Sequence, residues 1–381
     1  MDTTAPRSTA PGTAPGAAPG AAGLDALIAE LSAVGDPPAD AAADELAADP
    51  AARRALDRGL AEGAAVLDAT ATPALAAHLA GAEAVVRAAP AELLERACLP
   101  HFTISQAGHV FDLGAGALIH SYAPPGPAAV LVGTGRLVES AFQRLQDTAR
   151  WHAAALLPGG LRPGQPGFAA TVRVRLLHAR VRRAVRRAAG GRGPVPISQV
   201  DTARTWLDFT LVTTRADAAL GLELTEQEQR SLYAYWRVLG ELLGIDPRLL
   251  AGAVDATGAE LLAARIAAVT GPPGEDSRRL TRAGLTALAD ALPAFSPVPR
   301  RLARPLVSTV SRAMLGDALA DDLGIARSRA GSAALRPVVA VVRARRRRLR
   351  RDPAAWRRAV EANVAATRAF ALEGGAAGYE R

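Results

Sequence analysis

The chain has 381 residues, 49% of them hydrophobic, and a formal net charge of +8. Alanine, leucine, arginine and glutamate are abundant and few stretches alternate apolar and polar residues, so a strand-rich fold is excluded and an all-α fold is predicted. All 45 basic residues are arginine; because this bias runs through the whole chain, we attribute the charge to composition and predict no nucleic-acid partner.

The N-terminal residues and the cysteine content indicate the compartment. Residues 1–23 are rich in Ala, Pro and Gly and contain neither a hydrophobic signal core nor a twin-arginine pair, so we predict a disordered tail. The single cysteine, Cys98, cannot form an internal disulfide. No apolar run reaches the roughly 20 residues that a transmembrane helix needs. A cytoplasmic protein is therefore expected.

The remaining chain is divided by helix-breaking residues. Short Ala-rich helices are expected over residues 24–97, followed by a turn-rich stretch over 101–127 that contains His101, His109 and His120. One helix should open near Thr134 and end at Leu157, and the next should span Phe168 to Ala189. Further helices are predicted from Ser198 to Gly221, from Thr225 to Gly244, after Asp246–Pro247, and around 275–292, 298–320, 331–350 and 353–373.

These elements suggest one large helical domain with flanking segments. We predict the tail over 1–23, an N-terminal helical segment over 24–100 packed on the core, the main domain over 101–335, and an Arg-rich C-terminal extension over 336–381. The tract from Arg343 to Arg351 carries seven arginines. Peripheral contact with acidic lipid is compatible with it, but a solvated helix face is the simpler interpretation.

The predicted helix around His178 carries the first functional signal. At 100° per residue, Arg175, His178, Arg182 and Arg186 fall within a sector of roughly 80°, beside an apolar stripe that includes Val181. A haem would suit this seam, because its iron takes an axial imidazole, its porphyrin needs an apolar slot and its propionates bind arginine. A partly exposed histidine on a basic helix remains the alternative from this helix alone.

The preceding helix supplies a second candidate group. Arg144 and Thr148 are four residues apart and lie on one helical face, where they could donate hydrogen bonds to dioxygen across a porphyrin. The alternative is an ordinary amphipathic helix in which Arg144 pairs with Asp147 or Glu139. Elsewhere, no carboxylate or cysteine gives the three clustered histidines a recognisable metal-ligand spacing, so a structural role is predicted for them.

Together these segments resemble the catalytic domain of the rubber oxygenase (latex-clearing protein)/MpaB oxygenase family. The phrases GHVFDLGAGALIHSY, TGRL, RLQDT, RLLHARVR, PISQVDTARTWLDFT and YWRVLGELLGI carry the resemblance between about Gly108 and Leu250. The family implies a helical fold with a globin-like haem-binding core, haem b as cofactor, and dioxygen as co-substrate. Its better-known members cleave an isoprenoid carbon–carbon double bond oxidatively.

The resemblance also implies residue roles. His178 matches the proximal iron ligand, Arg175 and Arg182 match the arginines near the haem and its propionates, and Arg144 and Thr148 match the distal polar pair. Two features depart from the rubber oxygenases: Asp147 stands where they place a lysine, and the region of their proposed glutamate base is apolar around Ala128 here.

With the missing secretion signal, these departures make rubber an unsuitable substrate. The hypothesis is therefore a haem b-dependent oxygenase that cleaves a double bond in a lipophilic, isoprenoid-like small molecule. A haem peroxidase or monooxygenase, a non-catalytic haem sensor, and a haem-free helical scaffold remain alternatives.

Overall fold

The computed structural model describes residues 20–133, 141–294 and 298–372. Within these ranges the chain forms helices and no strand, which confirms the all-α prediction. The α-helices in chain order are α1 (Ala21–Leu31), α2 (Pro37–Ala48), α3 (Pro50–Glu62), α4 (Pro73–Ala88), α5 (Ala91–Arg96), α6 (Gln106–His109), α7 (Ile119–Ser121), α8 (Pro125–Gly133), α9 (Ala141–Leu156), α10 (Pro166–Ala188), α11 (Gln199–Leu207), α12 (Thr213–Ala219), α13 (Glu226–Leu242), α14 (Pro247–Leu250), α15 (Ala256–Thr270), α16 (Glu275–Ala291), α17 (Arg300–Leu315), α18 (Asp317–Asp322), α19 (Arg329–Arg350) and α20 (Pro353–Leu372).

Several helix starts lie where their capping residues predict them. Ser198 and Asp201 form a capping box at α11, Thr225 and Glu228 form another at α13, and Asp246 caps α14. Each box satisfies backbone N–H groups that the first turn leaves without partners. The predicted helix start near Thr134 lies outside the described residues.

The prediction of a turn-rich stretch over residues 101–127 was wrong. That region is largely helical: a 3₁₀ turn spans Leu99–Thr103, and a π-helical segment spans Val110–Leu118 between α6 and α7. Its glycines serve close packing, because a Cβ on Gly116 would lie 3.1 Å from the Cβ of Ala216 in α12. A second π-helical segment, Asp208–Val212, joins α11 to α12 within the predicted 198–221 helix. Such segments are frequent at functional sites.

The buried side chains form two main clusters. The larger cluster joins the N-terminal helices to α9, α10 and α13, with Leu75, Trp151, Phe168 and Trp236 among its members. The second cluster joins the first π-helical segment and α7 to α16 and α17. The N-terminal helices therefore share a core with α9 and α10, the two helices that carry the predicted site.

The Arg-rich tract of α19 is only partly solvated. Arg343 binds Glu223 at 2.6 Å, Arg350 binds Glu228 at 2.5 Å, and Arg346 donates to the backbone oxygen of Thr103 at 2.8 Å. These arginines lie on one face of the helix, whereas those at positions 345, 347, 348 and 351 are exposed. The tract therefore fastens α19 to the domain with one face and presents charge on the other. No helix in the described ranges is both long and apolar enough to cross a membrane.

Candidate active site

Helices α9 and α10 form the frame of the candidate site. Residues 157–165 connect them, and the indole Nε1 of Trp151 donates to Thr171 Oγ1 at 3.1 Å across the pair. Because the chain reverses between them, residues before Trp151 on α9 lie level with residues after Thr171 on α10. At 1.5 Å per residue, Thr148 is then level with Val174, and Arg144 with His178. The structure thus brings the two predicted halves of the site to adjacent helices.

His178 lies on α10 with no hydrogen bond to its ring among the described residues. Part of the His178 side chain is accessible to solvent. The pKa of its ring is nevertheless lowered to about 4, first by desolvation and then by the charge of Arg182. Both observations hold if protein atoms pack closely around the ring while part of its surface stays accessible to solvent. The imidazole is therefore neutral near pH 7 and keeps a nitrogen lone pair free, which is the state a metal ligand needs.

An apolar strip runs along α10 beside this ring. Val174, Leu177, Val181 and Val185 are all only half-buried, so each leaves part of its apolar surface accessible. The ring of His178 therefore borders a surface that a flat apolar molecule could cover.

Arg175 has a firm partner in the N-terminal segment. Its Nε and Nη2 donate to the two carboxylate oxygens of Asp36 at 2.6 and 2.9 Å, and both side chains are nearly buried. Gly244 makes room for this fork: its φ is +88°, and a Cβ there would lie 2.5 Å from Arg175 Nε. The pair thus ties α10 to the residue that caps α2.

Arg182 is held by a similar ion pair two helical turns further along α10. It forms an ion pair with Asp40 of α2, and its Nη2 donates to the backbone oxygen of Ile197 at 2.9 Å. Between these two anchors, Ala179 packs against Ala39 and Ala43 of α2. The two arginines predicted near a cofactor therefore flank His178, but each binds a carboxylate at the N-terminal end of α2: Arg175 binds Asp36 and Arg182 binds Asp40.

Arg144 and Thr148 remain without such partners. Both are half-buried on α9, and neither makes a hydrogen bond or ion pair among the described residues. Asp147, one proposed partner of Arg144, instead accepts from Gln143 at 2.9 Å; the other, Glu139, lies outside the described residues. The guanidinium of Arg144 is close enough to Tyr122 to oppose the burial that raises the pKa of that hydroxyl. The hydrogen-bond donors of both side chains remain available.

Two of the three clustered histidines have acidic partners that sequence reasoning missed. His109 Nδ1 lies 2.8 Å from Asp112 Oδ2, and His120 Nδ1 lies 2.5 Å from Asp208 Oδ1. The first pair is readable as an i,i+3 contact in a helix, whereas 88 residues separate the second. Among the described residues, no group of three or more His, Cys, Asp or Glu side chains could hold a metal ion. A metal at His178 would thus need ligands from a cofactor.

Comparison with known proteins places these observations in context. The family model for the catalytic domain of the ER-bound oxygenase mpaB/B′ and rubber oxygenase matches residues 103–344. Among solved structures, the fold is similar to that of latex clearing protein in the closed state, with a TM-score of 0.63 and 21% sequence identity over 89% of this chain and 90% of that chain. At that identity the likeness concerns the fold. No curated protein sequence matches the chain.

Proposed function

Because the chain belongs to the family of mpaB and rubber oxygenase catalytic domains, we propose that it is a haem b-dependent oxygenase acting on a lipophilic small molecule, with dioxygen as co-substrate. The proposed reaction is oxidative cleavage of a carbon–carbon double bond, for which an isoprenoid is a suitable substrate. The observation that carries the proposal is the ring of His178, which is neutral, has no hydrogen bond among the described residues and borders a half-buried apolar strip.

The residues around His178 fit a haem in three respects. A neutral imidazole is the usual axial ligand of a haem b iron. The strip of Val174, Leu177 and Val181 offers the apolar surface that a porphyrin face requires. The site also has no competing set of protein metal ligands among the described residues. A haem bound there would supply the iron chemistry that activates dioxygen.

Arg175 and Arg182 take a positioning role in this proposal. Their guanidinium groups already bind Asp36, Asp40 and the Ile197 carbonyl, so a propionate would have to displace one of these acceptors. Held where they are, the two arginines fix α10 on α2 at both sides of His178. This restricts the rotation of α10 about its axis and so fixes the direction of the imidazole and of the apolar strip beside it.

Arg144 and Thr148 take the proposed distal role. Their unpaired N–H and O–H groups lie on the helix adjacent to His178, where they can donate to a polar molecule held between the two helices. The apolar side chains of α10 provide a surface for a lipophilic substrate. Hydrogen bonding is thus limited to the small co-substrate, whereas the lipophilic substrate contacts apolar side chains.

Absorption spectroscopy of the purified protein tests the proposal. A Soret band that shifts on reduction with dithionite is expected, and His178→Ala should abolish it. Val181→Ala is the matched control, since it removes a side chain from the same strip without removing a ligand. A wild-type protein that binds no haem on reconstitution, or a His178→Ala variant with an unchanged spectrum, would contradict the proposal.

Labelled dioxygen separates the reaction classes. Double-bond cleavage places both oxygen atoms in the carbonyl products, whereas a monooxygenase places one and a peroxidase places none. A haem protein that consumes no substrate at all would be a sensor or carrier, and the oxygenase assignment would then fail for this chain.

A further inference from the structure

Two aspartates in contact lie at the centre of the molecule. Asp112, in the first π-helical segment, is 0% exposed, and Asp217, in α12, is 2% exposed. Asp112 lies close enough to Asp217 to raise its pKa both through charge and as a hydrogen-bonding partner, while Oδ1 of each has no donor among the described residues. Two ionised carboxylates can only accept, so a hydrogen bond between them requires that one carries a proton.

The surroundings of the pair favour this shared proton. Burial, followed by the charge of Asp112, raises the pKa of Asp217 well above its ordinary value. The facing cation is Arg346 of α19, but its N–H groups donate to Thr103 and to the backbone oxygen of Glu223. Arg346 therefore forms no hydrogen bond with the pair among the described residues, and its charge only partly opposes the rise in the pKa of Asp217.

Histidines continue the cluster towards α9. His109 binds Asp112 through Nδ1 at 2.8 Å, and its ring stacks on His101 with 3.8 Å between the centroids. The ring of His152, on α9, meets that of His101 edge to face at 5.0 Å. Burial lowers the pKa of His101, and that of His152 to about 3, so both rings are neutral near pH 7.

A small cavity lies between Asp217 and the rings of His101 and His152. Its volume is about 20 Å³, and Asp217, His101, His152, Thr210 and Thr213 contribute to its walls. That is room for one water molecule, which needs two to four polar neighbours to be stable in a protein interior. Neither His101 nor His152 has a ring hydrogen bond to the described residues, so such a water would find acceptors and donors on both sides.

His152 also relates this cluster to the candidate active site. It follows Thr148 by four residues on α9, so the two side chains occupy successive turns of one helical face, with about 5–6 Å between their Cβ atoms. His152 itself is 3% exposed and packs against Phe209 and Trp236. The acid pair, the cavity and Thr148 are thus linked by neighbouring groups.

We propose that Asp112 and Asp217 share one proton and form, with a cavity water, His101 and His152, a buried relay that moves protons to and from the α9 face carrying Thr148. The destination of the relay rests on the proposed function, whereas the shared proton does not. In one transfer, the O–H bond of the pair breaks as an O–H bond forms on the water. The water gives one of its protons to the acceptor nitrogen of His152, and the other ring nitrogen gives its own proton to a water molecule beside Thr148; the pair is left with both carboxylates ionised and is reprotonated by the reverse transfer. No electrons are transferred and no oxidant is consumed.

Infrared spectroscopy of the protein as purified tests the shared proton. At neutral pH we expect the carbonyl band of a protonated carboxyl group, which shifts in D₂O and is lost in both Asp112→Asn and Asp217→Asn. Asp290→Asn, which replaces an exposed carboxylate, is the control and should leave the band unchanged. A band that survives in both variants, or its absence from the wild type, overturns the pair. The wild-type spectrum decides the question even if a variant fails to fold.

The connection to His152 needs a separate measurement. In protein labelled with ¹⁵N-histidine, Asp217→Asn should change the ring-nitrogen shifts of His152 and leave those of His120 unchanged. Unchanged His152 shifts would overturn the relay even with the carboxyl pair confirmed. If Asp217→Asn keeps the Soret band and also full dioxygen-dependent turnover, the destination is wrong while the haem assignment stands; a wild type without a Soret band would instead reject the proposed function alone.

Discussion

The ion pair between Asp36 and Arg175 allows a quantitative test of how α10 is held. Asp36 accepts two hydrogen bonds from Arg175, at 2.6 and 2.9 Å, and the two side chains are 7% and 12% exposed. Asp36 also caps α2 by accepting from the N–H of Ala39 at 3.3 Å. Replacing Asp36 therefore removes a helix cap and leaves a nearly buried guanidinium without its carboxylate.

The two losses have different sizes. Removing one partner of a buried ion pair costs about 3–5 kcal/mol, since the remaining charge stays desolvated. Losing the cap costs about 1 kcal/mol more. We therefore expect Asp36→Ala to lower the free energy of unfolding by about 4–6 kcal/mol, and Asp36→Asn, which keeps a capping oxygen, by about 1 kcal/mol less. Arg175→Met combined with Asp36→Ala should cost less than the sum of the single changes, by about 2–3 kcal/mol.

Urea denaturation followed by circular dichroism measures these differences. The control is Glu30→Ala, which removes an exposed partner of Arg248 and should cost less than about 1 kcal/mol. Since the pair anchors α10, Arg175→Met should also weaken haem retention without touching His178. If Asp36→Ala costs no more than Glu30→Ala, the pair does not hold the helix and the positioning role of Arg175 is refuted.

Three further predictions test other parts of the structure. Arg144→Met and Thr148→Val should each keep the Soret band but lower dioxygen-dependent turnover by about 10²–10³-fold, as loss of a preorganised donor does, while Gln143→Ala on the same helix should not; normal turnover in both would reject the distal assignment. Because burial raises the pKa of Asp217, the folded protein keeps a proton that the unfolded chain releases above its ordinary value of 3.8, so stability should fall by about 1.4 kcal/mol per pH unit from there up to the folded pKa, and urea titrations of Asp217→Asn should lack this contribution. Gly244→Ala introduces a Cβ at positive φ against the Asp36–Arg175 fork and should destabilise the fold by more than about 1 kcal/mol in the same assay, whereas an unchanged midpoint would mean that the fork can move aside.

Much of the fold could be predicted because its signals are local. Ser198, Thr225 and Asp246 begin helices through contacts within three residues of themselves, and a sequence displays such contacts directly. The prediction for residues 101–127 was wrong because it, too, relied on local signals. Its glycines look like turn residues, but Gly116 makes room for Ala216, a residue one hundred positions away that no local pattern reveals.

For Arg175 and Arg182, the sequence indicated that a guanidinium would lie near His178, but it did not indicate which anion each guanidinium would bind. The helical spacing predicted Arg175 and Arg182 beside His178, with the propionates of a cofactor as their anions. The anions in the structure are Asp36 and Asp40, which come from a helix about 140 residues earlier. A spacing argument on α10 alone could not distinguish these carboxylates from the propionates of a cofactor.

The buried acids and histidines are best understood from what their burial costs. A buried ionisable pair is often less stable than apolar residues of the same volume, and each unpaired polar atom adds a desolvation penalty. Asp112 and Asp217 each retain such an atom, and His101 and His152 are held neutral against their ordinary pKa. A core built only for stability would place leucine or phenylalanine at these positions. The groups found there can instead take up and release protons, and one of them, His152, lies one helical turn from Thr148 on α9, which is what the proposed relay requires.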